Sequence, residues 1–143
     1  MGGFHVFSVL KDPIIQEDSL HITQVKAGKK IRSAQLKGIL NVYRYRDKDT
    51  RQIVAYLPSL EISGYGADEK KANEMLQFSL GEYFEYLGSL QPKKLHAELA
   101  QLKWKQNPLK HKDYSIGVEN VKGQLEALNA VGNKIERLTL QAK

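Results

Sequence analysis

The chain has no cysteine among its 143 residues, which excludes disulfides, thiolate catalysis and sulfur-ligated metal sites together. It has no apolar run near the roughly 20 residues that a membrane-spanning helix needs, and its N-terminus carries no signal-peptide pattern. Met1-Gly2-Gly3-Phe4-His5-Val6 misses the myristoylation pattern, because Val6 stands where Ser or Thr is required. The expectation is a cytoplasmic protein. Catalytic motifs are equally scarce. Gly64-X-Gly66 before a helix lacks the third glycine, the Lys-Ser/Thr pair and the parallel βαβ setting of a phosphate-cradling loop, and so reads as a structural turn. His5, His21, His96 and His111 show no i, i+4 pair and no carboxylate at a helical metal spacing. Ser63 and Ser79 have no recognisable base partner. Glu82 and Glu85 fall on the outer side of a helix, where a solvated charged face accounts for them. The expectation is a protein without cofactor, metal site or catalytic residues, and not an enzyme.

What is present is one domain's worth of ordinary globular composition, 41% hydrophobic and 27% charged. The net charge of +6 is unevenly spread. Residues 1–50 carry nine Lys/Arg against five Asp/Glu, residues 51–100 five against seven, and residues 101–143 eight against four. Basic ends around a mildly acidic centre suit contact with nucleic acid or an acidic partner, and they also fit plain solvated surface.

Along the chain, Phe4–Leu10 and His21–Val25 read as short strands with Asp12-Pro13 as a turn between elements, and Lys26, Lys29, Lys30 and Arg32 around Gly28 read as an exposed basic loop. Leu36 to Arg46 is rich in β-formers, Asp47 to Thr50 supplies a turn, and Gln52 to Leu57 alternates as a second strand. Pro58-Ser59 interrupts it, and Leu60 to Ser63 is the third strand, which predicts an antiparallel meander. Gly64-Tyr65-Gly66 is read as the exit from the sheet through positive φ. Asp68 is the expected N-cap of a helix whose stripe is Ala72, Leu76, Leu80, Tyr83 and Leu87, with Gly88 as its stop. Pro92 opens a second helix carrying Leu95, Leu99 and Leu102, followed by Trp104 and ended by Asn107-Pro108. A short strand at Tyr114–Val118 follows. A third helix is expected over Val121, Leu125, Leu128 and Val131, closed by Gly132-Asn133, and Lys134 to Gln141 is a final strand.

Tyr43, Tyr45, Tyr56 and Tyr65 alternate with Arg44, Arg46 and Arg51. Aromatics interleaved with cations on a sheet can stack and clamp single-stranded RNA, while cross-strand tyrosine pairs also serve structure alone. The basic residues Lys26, Lys29, Lys30, Arg32, Arg44 and Arg46 are the expected phosphate contacts of a nucleic-acid-binding reading.

Ile53-Val54-Ala55-Tyr56-Leu57-Pro58-Ser59-Leu60, then Ser63-Gly64-Tyr65-Gly66 and a helix opening with Ala72, resembles the HicB-like family, the antitoxin half of HicA/HicB toxin–antitoxin pairs. Val54, Ala55, Tyr56, Pro58, Leu60, Gly64, Gly66 and Ala72 carry the match, which covers about residues 36–90. The resemblance implies an α+β fold: a partial RNase H-like sheet, with a three-strand meander plus a late strand, one long helix across one face and one or two further helices. It divides the chain into an N-terminal extension (1–35), the HicB-like domain (36–106) and a C-terminal helix and strand (107–143) completing that domain. It implies a non-catalytic interaction module whose partner is a small RNase toxin. Three features depart from the family: Leu57 stands where Cys is common, Lys71 replaces an acidic residue, and no helix-turn-helix or ribbon-helix-helix follows. An RNase H-type enzyme would need converging carboxylates, and only Glu61, Asp47 and Asp49 are on offer. Leu138 and Leu140 on the last strand are the expected edge of a homodimer or dimer of dimers.

Overall fold

The computed structural model describes residues 7–10, 17–117 and 119–142. Phe4 to Val6, including His5, the Asp12-Pro13 turn, Val118 and the side chain of Val121 lie outside the described residues. In chain order the elements are strands β1 (Phe7–Leu10), β2 (Asp18–Ala27), β3 (Lys30–Arg46), β4 (Ile53–Leu57) and β5 (Ile62–Gly66), then helices α1 (Glu69–Ser89) and α2 (Pro92–Gln101). Strands β6 (Lys105–Gln106) and β7 (Asp113–Ile116), helix α3 (Glu119–Glu126), a 3-10 turn (Val131–Asn133) and strand β8 (Glu136–Ala142) complete it.

The fold is α+β, with one antiparallel sheet of eight strands among the described residues, a larger sheet than the sequence suggests. Its spine is β3. Gly38 pairs with both Leu20 and Ala142, and Tyr43 pairs with both Tyr56 and Arg137. Hence β2 and β4 lie end to end along one edge of β3 while β8 runs along the other. β5 adds to β4, β7 and then β6 add to β2, and β1 adds to β8. Where β2 stops and β4 begins, the edge of β3 would leave a backbone donor without a ladder partner. Asp18 fills that fork, accepting the Asn41 backbone N–H at 3.2 Å and its side-chain amide.

Period-two alternation puts Leu20, Ile22, Leu36, Leu40, Val42, Ala55, Leu57, Leu138 and Leu140 on one face, all buried. Helix α1 covers that face with Ala72, Leu76, Leu80, Phe84 and Leu87. The Asp68 carboxylate accepts the Lys71 N–H and caps it as expected. α2 begins at Pro92 and buries Leu95 and Leu99, and Trp104 donates its indole N–H to the Ser59 carbonyl at 2.8 Å.

Several expected boundaries move. The basic segment 26–32 is a hairpin rather than an open loop: Lys26 lies near the end of β2, which stops at Ala27, and Lys30 and Arg32 lie at the start of β3, with a tight turn at Gly28, whose φ is +64°. Residues 18–35 are no appended extension, since Leu20 and Ile22 belong to the core. Leu60 sits in the turn after β4, and the next strand starts at Ile62. Gly64 and Gly66 lie inside β5, where they serve close packing. A Cβ on Gly64 would come within 2.3 Å of the Leu76 nitrogen and 2.5 Å of the Ala72 carbonyl oxygen. Gly88 does not end α1 but lies buried within it, where a Cβ would meet that of Ala34 at 2.7 Å. α2 ends at Gln101, before Asn107-Pro108, and the 105–106 segment forms β6.

Candidate functional site

Charge is the property that tertiary structure reorganises most. Residues 19–46 carry seven Lys/Arg and no Asp/Glu, and residues 91–112 carry six Lys/Arg and one carboxylate, Glu98. The ladder between β2 and β7 brings these two segments side by side, with the Ile22 N–H donating to the Lys112 carbonyl at 2.8 Å. The turn between β6 and β7 therefore flanks β2 and points the same way as the turn between β2 and β3. A second tie closes the cluster. The Gln91 side chain donates to the Lys29 carbonyl at 2.7 Å, and Gln24 donates to the Gly88 and Leu90 carbonyls at 2.9 and 2.7 Å. Lys93 and Lys94, in the first turn of α2, thus stand beside the hairpin carrying Lys26, Lys29, Lys30 and Arg32, and all six are exposed. Lys110 and Lys112 lie exposed on the neighbouring turn.

The six expected phosphate contacts divide. Lys26, Lys29, Lys30 and Arg32 share the hairpin, whereas Arg44 and Arg46 sit at the far end of β3, which at about 3.3 Å per residue is on the order of 50 Å long if straight. Arg44 is spoken for: its guanidinium donates to Glu136 at 2.8 Å and pairs with Glu69 at 3.2 Å, leaving its side chain 12% exposed. Arg46 is exposed and donates to the Arg51 carbonyl at 2.6 Å. Lys93 and Lys94 replace them in the basic cluster. Sequence reading passed over these two because they lie about sixty residues from the hairpin, and only the α1–α2 corner joins them.

The tyrosines come together without their arginines. Register pairs Tyr43 with Tyr56 and Val54 with both Tyr45 and Tyr65, which sets the four rings on the sheet face opposite α1. Arg44 and Arg46, at alternate positions, face the other way. Helix α3 rests near this face. The Tyr56 hydroxyl donates to Gln124, and Tyr45, Val54 and Tyr56 line a concavity of about 510 Å³ with Ala127 and Leu128. Burial raises the hydroxyl pKa of Tyr43, Tyr45 and Tyr56 above the ordinary value. This is a partly covered packing face rather than an open stacking platform.

A wider concavity of about 680 Å³ on the same side is lined by Ser19, His21, Lys37, Ile39, Asp113 and Gln141 among others, and within it His21 Nδ1 meets Asp113 Oδ1 at 2.5 Å. Glu61, Asp47 and Asp49 do not converge. Asp47 and Asp49 are tied at the β3–β4 turn to the Asn129 amide at 3.2 and 2.9 Å, and hydrogen bonds led by the Thr50 N–H lower the Asp47 pKa. Among the described residues there is no group of three or more His, Asp or Glu arranged to hold a metal ion.

The acidic counterpart is α1. Residues 61–90 carry six carboxylates against two lysines. Glu74, Phe78 and Glu82 recur at four-residue spacing on the helix's outer side, with Tyr86 one turn on. Phe78 is 67% exposed and Tyr86 48%, so an apolar ring stands in water between two carboxylates. Helical periodicity locates this stripe, but only the sheet's occupation of the opposite side decides that it faces outward.

The expected oligomer edge is displaced. β8 is paired on both sides, to β1 and β3, and Leu138 and Leu140 are buried in the core. They have no surface to offer a second subunit. Among the described residues no helix is long and apolar enough to cross a membrane. No protein-family model matches the chain, and neither a curated protein nor a solved structure matches it.

Proposed function

We propose that this chain is a non-catalytic interaction module of the HicB-like kind, which uses the outer face of α1 to hold a small basic protein, an RNase toxin in the antitoxin version of the reading. The observation that carries it is Phe78, 67% exposed and bracketed by Glu74 and Glu82 on the acidic helix. A large apolar side chain flanked by like charges is a poor solvent face, and a ring-shaped anchor with a charged rim is how a basic surface is recognised. The arrangement β3, β4, β5 and α1, with the helix laid across one face of consecutive antiparallel strands, supports the resemblance in Val54, Ala55, Tyr56, Pro58, Leu60, Gly64, Gly66 and Ala72. With β8 internal, we place self-association at the outer edge of β5, which, like β1 and β6, has one paired neighbour among the described strands.

Co-expression with a small basic protein encoded beside this one tests the reading by gel filtration. A stable complex is expected, and Phe78→Ala should weaken it at least about tenfold, as loss of a central anchor does. A complex indifferent to Phe78→Ala and to Glu82→Lys, or no complex at all, overturns it.

A further inference from the structure

Beyond its junction with β7, the β2–β3 hairpin stands alone. β7 pairs with β2 only from Asp18 to His21, and β8 pairs with β3 only from Gly38 onward. The segments 23–27 and 30–37 therefore form a two-stranded ribbon whose outer edges carry no further described strand. One of its faces rests on the α1–α2 corner through Gln24, Ala34 and the Lys29 carbonyl. The other face presents Thr23, Gln35, Ser33 and Val25, paired across the ribbon. The register slips between Val25 and Lys26, leaving Arg32 as the extra residue of a bulge. Bulges re-aim side chains where a strand meets something other than its sheet.

From this arrangement we infer that the ribbon binds double-stranded DNA, its polar face toward the major groove and its exposed cations on the phosphates. The charge is one-signed, with no Asp/Glu from residue 19 to 46, which suits a polyanion. The cations Lys26, Lys29, Lys30 and Arg32 are joined at the same end by Lys93 and Lys94. A two-stranded ribbon fits the roughly 12 Å width of the B-form major groove, while the deep, narrow groove of double-stranded RNA excludes side chains. Gln, Ser and Thr on the free face are groups that can meet base edges. The tyrosines suited to stacking unpaired bases lie on the β3–β4–β5 half of the sheet, away from the cations, which disfavours a single strand.

Fluorescence anisotropy of the full chain with a labelled mixed-sequence DNA duplex, across a salt series, tests the inference. The logarithm of the binding constant should fall with the logarithm of salt with a slope of about −4 or steeper. The quadruple variant K26A/K29A/K30A/R32A should bind at least tenfold more weakly, with the slope reduced by about one for each phosphate contact removed. K93A/K94A should lose less, in the same sense. K70A/K71A, on the first turn of α1, should match the parent chain. Because all these positions are exposed, circular dichroism of each variant should be unchanged. Should the quadruple variant misfold, the slope of K93A/K94A decides alone, and an unchanged slope sinks the inference. Absence of duplex binding at low salt also overturns it, as does equal or tighter binding to double-stranded RNA, to single strands or to phosphatidylserine vesicles.

Discussion

At the fork of the sheet one carboxylate meets two donors from a single neighbour. Asp18 is 6% exposed and accepts both the backbone and the side-chain N–H of Asn41, while the Arg137 guanidinium donates to the Asn41 side-chain Oδ1 at 3.0 Å. The buried Ser59 hydroxyl faces this carboxylate and favours its charged form. Burial is the largest influence and raises the Asp18 pKa above 3.8, with Ser59, Asn41 and Arg137 pulling the other way. The folded chain therefore holds this proton more tightly than the unfolded one. Between 3.8 and the raised folded value the native state binds more protons, so stability falls as pH rises through that window and stays reduced above it. Asp18→Asn removes this dependence. In denaturant melts over a pH series, the variant should gain on the parent chain as pH rises through the window, whatever constant offset the substitution brings. A difference that does not change with pH would mean that Asp18 keeps an ordinary pKa. Asp47 titrates in both proteins and cancels from the comparison.

The contact between α1 and β5 depends on an element with no side chain to spare. Gly64 brings the β5 backbone against the helix backbone at Ala72 and Leu76, and neither of those atoms can move without moving the helix. Gly64→Ala should lower the unfolding free energy by about 3 kcal/mol, the upper part of the range for overpacking a well-packed core. Chemical denaturation measures it, and a loss well under about 1 kcal/mol would show that the helix and sheet are not so closely apposed. The same helix shows how one periodicity serves two ends. Phe84 is fully buried against the sheet, and Phe78, six residues earlier and on the opposite side, is exposed. At its C-terminal end α1 is held by Gln24, whose amide satisfies two carbonyls that the helix leaves open. At α2, Tyr83 donates to Glu98 at 3.2 Å, and burial raises its hydroxyl pKa strongly.

As a whole the molecule is electrically divided. The ribbon, the start of α2 and the β6–β7 turn gather cations at one end, and the outer side of α1 gathers carboxylates. Two surfaces of opposite sign allow a protein partner and a polyanion to be held at once, so the two proposals do not compete for residues. Assembly belongs to this scale too. With β8 enclosed, the proposed dimer joins β5 edges across a two-fold axis, the commonest closed arrangement. Light scattering at micromolar concentration should give a mass near two chains, and a mass near one chain of 16.2 kDa removes the dimer.

Sequence by itself determined the local structure wherever the signal is short-range. The Asp68 cap, the apolar stripe from Ala72 to Leu87, the start of α2 at Pro92 and the alternation in Ile53–Leu57 all follow from contacts within a few residues, and the folded chain keeps them, with Phe84 rather than Tyr83 as the fully buried ring of the stripe. It also determined that the cationic segment from Lys26 to Arg32 is exposed, since no apolar residues there demand burial beyond Ile31. Tertiary structure alone decided the rest. That Gly64 and Gly66 are packing positions rather than a turn depends on a helix backbone arriving within van der Waals distance, which spacing along the chain cannot encode. That Leu138 and Leu140 are core depends on β8 slotting between β1 and β3, pairings that span about a hundred residues or more. That Lys93 and Lys94 join the ribbon depends on the α1–α2 corner packing against it, through Gln91 on the Lys29 carbonyl and Gln24 on the Gly88 and Leu90 carbonyls. Helical and strand periods fix which side of an element is apolar, but what covers that side is set by long-range pairing, where the entropy of closing the chain is offset only by the finished core.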